Sequence, residues 1–132
     1  MSYLLDTCTV SDFVKGQPGV LKRIKSTAPH VLAISTITRM EIEYGLQLNP
    51  DRARTLAPVM QAFLGSIAIL EFDDADAQAA GTIRATLQRK GKPIGAYDLM
   101  IAGCALARGL TVVTSNLREF QRIGGLAVEN WR

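Results

Sequence analysis

Four acidic residues, Asp6, Glu41, Asp98 and Glu119, stand where an alternating strand–helix chain would carry them to one edge of a sheet. Asp6 follows the apolar run Tyr3-Leu4-Leu5 directly. Glu41 shares helical spacing with Ile37, Tyr44 and Leu48, so a carboxylate interrupts an apolar stripe. Asp98 falls in the first turn of a helix-patterned segment, and Glu119 lies one helical turn after Asn116 on the same side. Carboxylates drawn together repel one another and are costly to desolvate. A divalent cation with a preference for oxygen, Mg²⁺ or Mn²⁺, removes that cost. Such a cation activates water and neutralises charge on a phosphoryl group during in-line displacement. Each acid also has a local reading that spacing leaves open. Asp6 would cap the turn after the first strand, Asp98 would answer a helix dipole, and Glu119 would pair with Arg118 or Arg122.

The remaining composition narrows the chemistry. The chain has 132 residues with 48% hydrophobic and 20% charged, an ordinary globular balance for one domain over residues 1–132. A single His and two distant Cys argue against a structural zinc site, a disulfide framework and any nuclease that needs two histidines. Cys8 and Cys104 read as small core or near-site residues, and His30 beside Pro29 as a loop histidine. No apolar run approaches the ~20 residues that span a bilayer, and no leader pattern opens the chain, so a cytoplasmic protein without membrane contact is expected.

The elements that must position the acids alternate in kind. Strands are expected at Tyr3–Leu5, Val31–Ile34, Ile67–Phe72 and Leu110–Val113, with an edge strand at Leu126–Glu129. Helices are expected around Thr9–Val14 and at Pro18–Thr27, then from a Ser35 or Thr36 cap to Leu48, and from Pro50 with a kink or break at Pro58. Further helices cover Asp73–Lys90, Ala96–Arg108 with a stop at Gly109, and Leu117–Ile123. Asp73, Asp74 and Asp76 read as first-turn residues matched to the helix dipole. Strands separated by helices imply an α/β fold, a parallel sheet of four to five strands with helices on both faces. Functional groups in such sheets gather beyond the carboxyl ends of the strands.

These residues lie in segments that resemble the PIN-domain ribonucleases, and more closely the VapC toxins of bacterial toxin–antitoxin pairs. The segments are Tyr3-Leu4-Leu5-Asp6-Thr7, Ile34-Ser35-Thr36-Ile37-Thr38-Arg39-Met40-Glu41 and Pro93-Ile94-Gly95-Ala96-Tyr97-Asp98-Leu99-Met100-Ile101-Ala102. Val112-Val113-Thr114-Ser115-Asn116-Leu117-Arg118-Glu119-Phe120 and the closing Gly124-Gly125-Leu126-Ala127-Val128-Glu129-Asn130-Trp131 complete the set, in family order. The resemblance implies a three-layer α/β/α sandwich of PIN type, with Asp6, Glu41 and Asp98 at the core of a Mg²⁺ site; Asp6 and Asp98 are expected to hold the ion, with Glu41 and Glu119 binding through water or a second ion. The family's fourth acidic position falls at Asn116, with Glu119 as the substitute, as in VapC relatives carrying Asn-x-x-Glu. Thr7-Cys8 stands where Thr-Asn is commoner, and Thr7 and Thr114 are hydroxyl supports for carboxylates or water.

The resemblance further implies a Mg²⁺-dependent endoribonuclease, with Mn²⁺ as a substitute ion, that cuts structured RNA by metal-activated water. tRNA anticodon loops are among the implied targets, and inhibited translation and growth are the implied result. A homodimer and a VapB-like antitoxin that places an Arg in the acidic site are implied as partners. Lys92, Lys90 and Arg89, leading into the loop before Asp98, are candidates for holding RNA phosphates, beside a second basic cluster at Lys22-Arg23-Lys25. Aromatic content of 6% offers no base-stacking platform, so RNA shape is expected to outweigh sequence. A receiver-like signalling domain would need an acidic pair after the first strand, whereas Asp73-Asp74 opens a helix. The alternative is a catalytically inactive PIN-like domain that binds RNA or protein, with Asn116 as the feature in its favour. Setting four acids in the site leaves 15 basic against 8 acidic residues, a body of +7 around a pocket of −4.

Overall fold

The computed structural model describes residues 2–132. Strands β1 (Tyr3–Leu5), β2 (Leu32–Ser35), β3 (Ala68–Leu70), β4 (Thr111–Val113) and β5 (Val128–Glu129) form one sheet in the order β3-β2-β1-β4-β5. Every pairing is parallel, and Leu4 faces Ala33 on one side and Val112 on the other. Parallel strands need long crossovers, which the chain supplies as helices. These are α1 (Thr7–Val14), α2 (Pro18–Lys25), α3 (Thr36–Leu48), α4 (Pro50–Leu64), α5 (Asp74–Arg89), α6 (Ala96–Arg108) and α7 (Leu117–Phe120). None of them is long and apolar enough to cross a membrane among the described residues.

The period of two along a strand sorts the core into two halves. Leu4, Ala33 and Val112 pack with Ile83 and Leu87 of α5, Ile101, Ala102 and Ala105 of α6, and Phe120. Leu5, Ile34 and Val113 pack to the other side, with Val10, Val20, Ile24, Ile42, Met60, Phe63 and Trp131. The result is three layers, helix over sheet over helix, as the alternation of elements implies.

Several boundaries differ from the sequence reading for local reasons. Helix α1 begins at Thr7, because Asp6 is its N-cap and accepts from the Thr9 amide. Strand β3 is limited to Ala68–Leu70, and Phe72 instead donates its amide to the Thr36 hydroxyl at 3.2 Å. The helix after β4 ends at Phe120 rather than Ile123. Pro58 does not break α4, which runs on to bury Met60 and Phe63. Asp76 is more than a dipole-matching residue: it is 1% exposed, closes a capping box with Asp73 and pairs with Arg108 at 3.1 Å.

The layer that carries Asp98 depends on one close approach. Helices α5 and α6 pack against each other at Gly103, where a Cβ would lie 2.7 Å from the Ala80 Cβ and 2.8 Å from the Asp76 carbonyl oxygen. Backbone cannot yield as a side chain can, so Gly103→Ala is expected to destabilise the fold by about 2–3 kcal/mol. Urea unfolding checks this, as a lower midpoint with an unchanged slope. Gly109, at φ +66°, closes α6 in the left-handed conformation and turns the chain into β4.

Candidate active site

Strand β1 lies between β2 and β4, so the chain leaves it towards β2 and β3 on one side and returns to β4 and β5 on the other. Such a reversal opens a crevice at the carboxyl ends of the central strands. Asp6 leaves β1 at that point, its amide donating to the Val113 carbonyl at 3.1 Å. Its side chain is only 2% exposed. One carboxylate oxygen accepts from the Thr9 amide at 2.9 Å and the other from the Thr114 hydroxyl at 2.5 Å. The capping and site readings of Asp6 are therefore compatible: one residue starts the helix and stands in the crevice.

Thr114 is fixed in turn. Its hydroxyl oxygen accepts the Asn116 amide at 2.8 Å, which directs its own proton to Asp6. Thr9, not among the candidate site residues, donates its hydroxyl to the Val113 carbonyl at 2.9 Å and ties α1 to β4. That hydroxyl contact joins residues 104 apart, and no local signal points to it. Replacing Thr114 by Val keeps its shape and removes the bond to Asp6. It is expected to weaken divalent-cation affinity by about 10- to 100-fold, measurable by titration calorimetry.

Around Asp6 stand three more carboxylates. Glu41, on α3, accepts from the Thr7 hydroxyl at 2.6 Å. Asp98 occupies the first turn of α6 and Glu119 the short α7. The side-chain amide of Asn116 donates to Glu119 at 2.8 Å and reaches Asp98 at 3.4 Å. Between two carboxylates the amide nitrogen, not the carbonyl oxygen, must face inwards. Asn116 so placed has a role of its own. It bridges two acids, a task that an Asp at this position would perform only by repelling both.

The electrostatics follow from burial and like charge. Burial raises the Asp6 carboxyl above the ordinary range even though Thr114 and Thr9 donate to it. Burial, the hydrogen bond with Glu119, and repulsion from Asp6, Glu119 and Glu41 push Asp98 up to about 7. Ion pairs among the described residues use Asp12, Glu43, Asp51, Asp73, Asp76 and Glu129. None uses Asp6, Glu41, Asp98 or Glu119. Four acids without a protein cation are a donor set suited to a hard divalent ion. They lie near enough for Asp98 to feel the charges of the other three, yet among the described residues no three acidic, His or Cys side chains form a ready metal cluster.

Other candidate residues lie elsewhere. Arg89, Lys90 and Lys92 are exposed at the end of α5 and beyond it, and no side-chain hydrogen bond or ion pair joins them to the four acids among the described residues. Arg23 of the other basic cluster pairs with Glu129 at 3.4 Å and lies over the Trp131 ring at 4.7 Å. Cys104 is buried, but Cys8 is at the surface beside the site. Partial desolvation and the charges of Asp6 and Asp98 push its thiol up to about 11, so it stays protonated. The apolar stripe around Glu41 is not a buried face: Tyr44 is 62% and Leu48 66% exposed.

Comparison with known proteins places this arrangement. The PIN domain family model matches residues 3–126. The tRNA(fMet)-specific endonuclease VapC of Salmonella typhimurium is 42% identical over 131 residues, covering 99% of this chain and 98% of the relative. Ribonuclease VapC2 of Haemophilus influenzae is 37% identical over 132 residues, with the same coverage. Among solved structures, DNA-bound VapBC from Salmonella typhimurium superposes with a TM-score of 0.91 at 42% identity, over 100% of this chain and 99% of that one. VapBC2 from Rickettsia felis, bound to a promoter DNA fragment, gives 0.90 at 31% identity, over 100% of each chain.

Proposed function

From the chain's membership of the PIN-domain family, and of the VapC ribonucleases within it, we propose that it is a Mg²⁺-dependent endoribonuclease toxin acting on structured RNA, with tRNA the first candidate. The observation that carries the reading is the set of four acids at the sheet's crossover, all without an ion pair among the described residues while six other acids have one. A relative named for cleavage of tRNA(fMet) supports the substrate. Neighbours solved as VapBC complexes support a VapB-like antitoxin as partner. A homodimer and a cytoplasmic site of action complete the proposal.

In this reading Asp6 and Asp98 would hold the divalent ion, with Mn²⁺ as a substitute. The ion supplies activation of water and neutralisation of the phosphoryl charge. Glu41 and Glu119 orient the attacking water and accept hydrogen bonds from it. Thr114 and Thr7 hold Asp6 and Glu41 in place, and Asn116 sets the separation of Asp98 and Glu119. His30 precedes β2 and so belongs to the opposite end of that strand, which leaves the carboxylates as the groups that move protons. The products carry 5′-phosphate and 3′-hydroxyl ends.

The test is induced expression in bacteria with mapping of RNA ends. Growth arrest with new 5′-phosphate ends is expected, and Asp6→Asn is expected to abolish both. Cyclic 2′,3′-phosphate ends, or equal arrest by the two proteins, would refute the scheme.

A further inference from the structure

A cleft of about 280 Å³ opens between α1, α3 and α4. Thr7 and Glu41 line it, so it adjoins the carboxylate set. Its lining also includes Lys15, at the end of α1, and Arg52, in the first turn of α4. Both are exposed, and among the described residues neither side chain takes part in an ion pair or a hydrogen bond. Ile42, Leu46 and Met60 give the cleft an apolar surface.

Gly45 lines the same cleft. A glycine inside a helix weakens it, and the usual compensation is close packing of another element. Here a Cβ at position 45 would meet nothing within 4 Å. No packing within the chain calls for this glycine; what its missing side chain provides is space.

An RNA strand whose phosphate sits at the four acids must continue past them, and its next phosphates need positive charge. Two unpaired cations beside the acids meet that need. We propose that this cleft seats an unpaired nucleotide next to the cleaved phosphodiester, with Lys15 and Arg52 gripping its phosphate and the apolar surface taking ribose and base. The volume is of the order of one nucleotide, and unpaired bases are what proteins read in RNA. The assignment rests on the ribonuclease reading above and adds positioning residues to it.

The test uses purified, cation-loaded protein, with bulk bacterial tRNA as the cleavage substrate. Binding is measured separately, with a short fluorescent single-stranded oligoribonucleotide and proteins that also carry Asp6→Asn. The double variant Lys15→Ala, Arg52→Ala is expected to raise KM about tenfold with kcat nearly unchanged. Its plot of log affinity against log salt should flatten by about 0.7, for the one phosphate that the two cations share. Gly45→Leu is expected to lower kcat/KM about tenfold while the melting temperature holds or rises. An unchanged slope and KM in the double variant, or normal cleavage by Gly45→Leu, would overturn the assignment. A wild-type protein that cleaves no RNA would refute the ribonuclease reading instead, and the salt slope would still decide whether the cleft binds RNA.

Discussion

Asp6→Asn is expected to lower RNA cleavage by about 10³-fold or more and to make the fold more stable. The loss follows from removing a charge from the cation site, where nothing else in the described structure stands in for it. The gain follows from burial. Asp6 is 2% exposed, and its carboxyl is shifted up chiefly by desolvation, so the folded state disfavours the charge that function needs. Asn caps a helix as well as Asp does, so the Thr9 bond survives. A net gain of about 1 kcal/mol is expected, roughly 3–5 °C for a domain of this size, seen by calorimetry without cation. Cleavage within tenfold of wild type would remove Asp6 from the site. A lost activity accompanied by a lower melting temperature would show that Asn fails to keep the fold.

The second large effect is on pH and cation together. Asp98 is pushed from its ordinary value of 3.8 up to about 7, by burial first, then by its bond to Glu119 and the neighbouring charges. Asp6 shifts in the same direction. A carboxyl with a raised folded-state value binds its proton more tightly folded than unfolded. Its stabilising contribution is therefore greatest at low pH and is lost as pH rises from about 4 to 7. Cation-free protein is expected to melt higher at pH 5 than at pH 8. Magnesium should reverse that order, because the ion takes the place of the proton. At pH 8 and a hundredfold excess over Kd it adds about 2.7 kcal/mol, and at pH 5 much less. Melting curves at both pH values, with Mg²⁺ and with chelator, decide it. Equal stability at the two pH values with no response to Mg²⁺ would contradict the cation site.

How far sequence carries depends on the kind of contact. Asp6, Asp98 and Glu119 were legible because each follows an apolar run or opens a helix, and strand ends in a parallel sheet converge. The signal at Glu41 is less direct. The stripe of Ile37, Tyr44 and Leu48 suggested a buried face, yet Tyr44 and Leu48 face solvent, and helical period alone does not say which face is covered. The direction of the Asn116 amide was not legible, since it depends on two carboxylates arriving from other elements. Nor was the pairing of Asp76 with Arg108, which are 32 residues apart and meet through the packing of α5 on α6. Lys15 and Arg52 belong to the same class: only the packing of α1 and α4 around α3 brings them to one cleft.

The bond from Thr114 to Asp6 also has a consequence in time. Its partners are 108 residues apart, and β1 completes its pairing only when β4 arrives beside it. A chain still being made on the ribosome thus holds Asp6 early but lacks Thr114, Asn116 and Glu119 until synthesis is almost finished. Contacts of such long separation form late in any case. The order of the strands therefore delays assembly of the four-acid cluster until nearly the whole chain has been made.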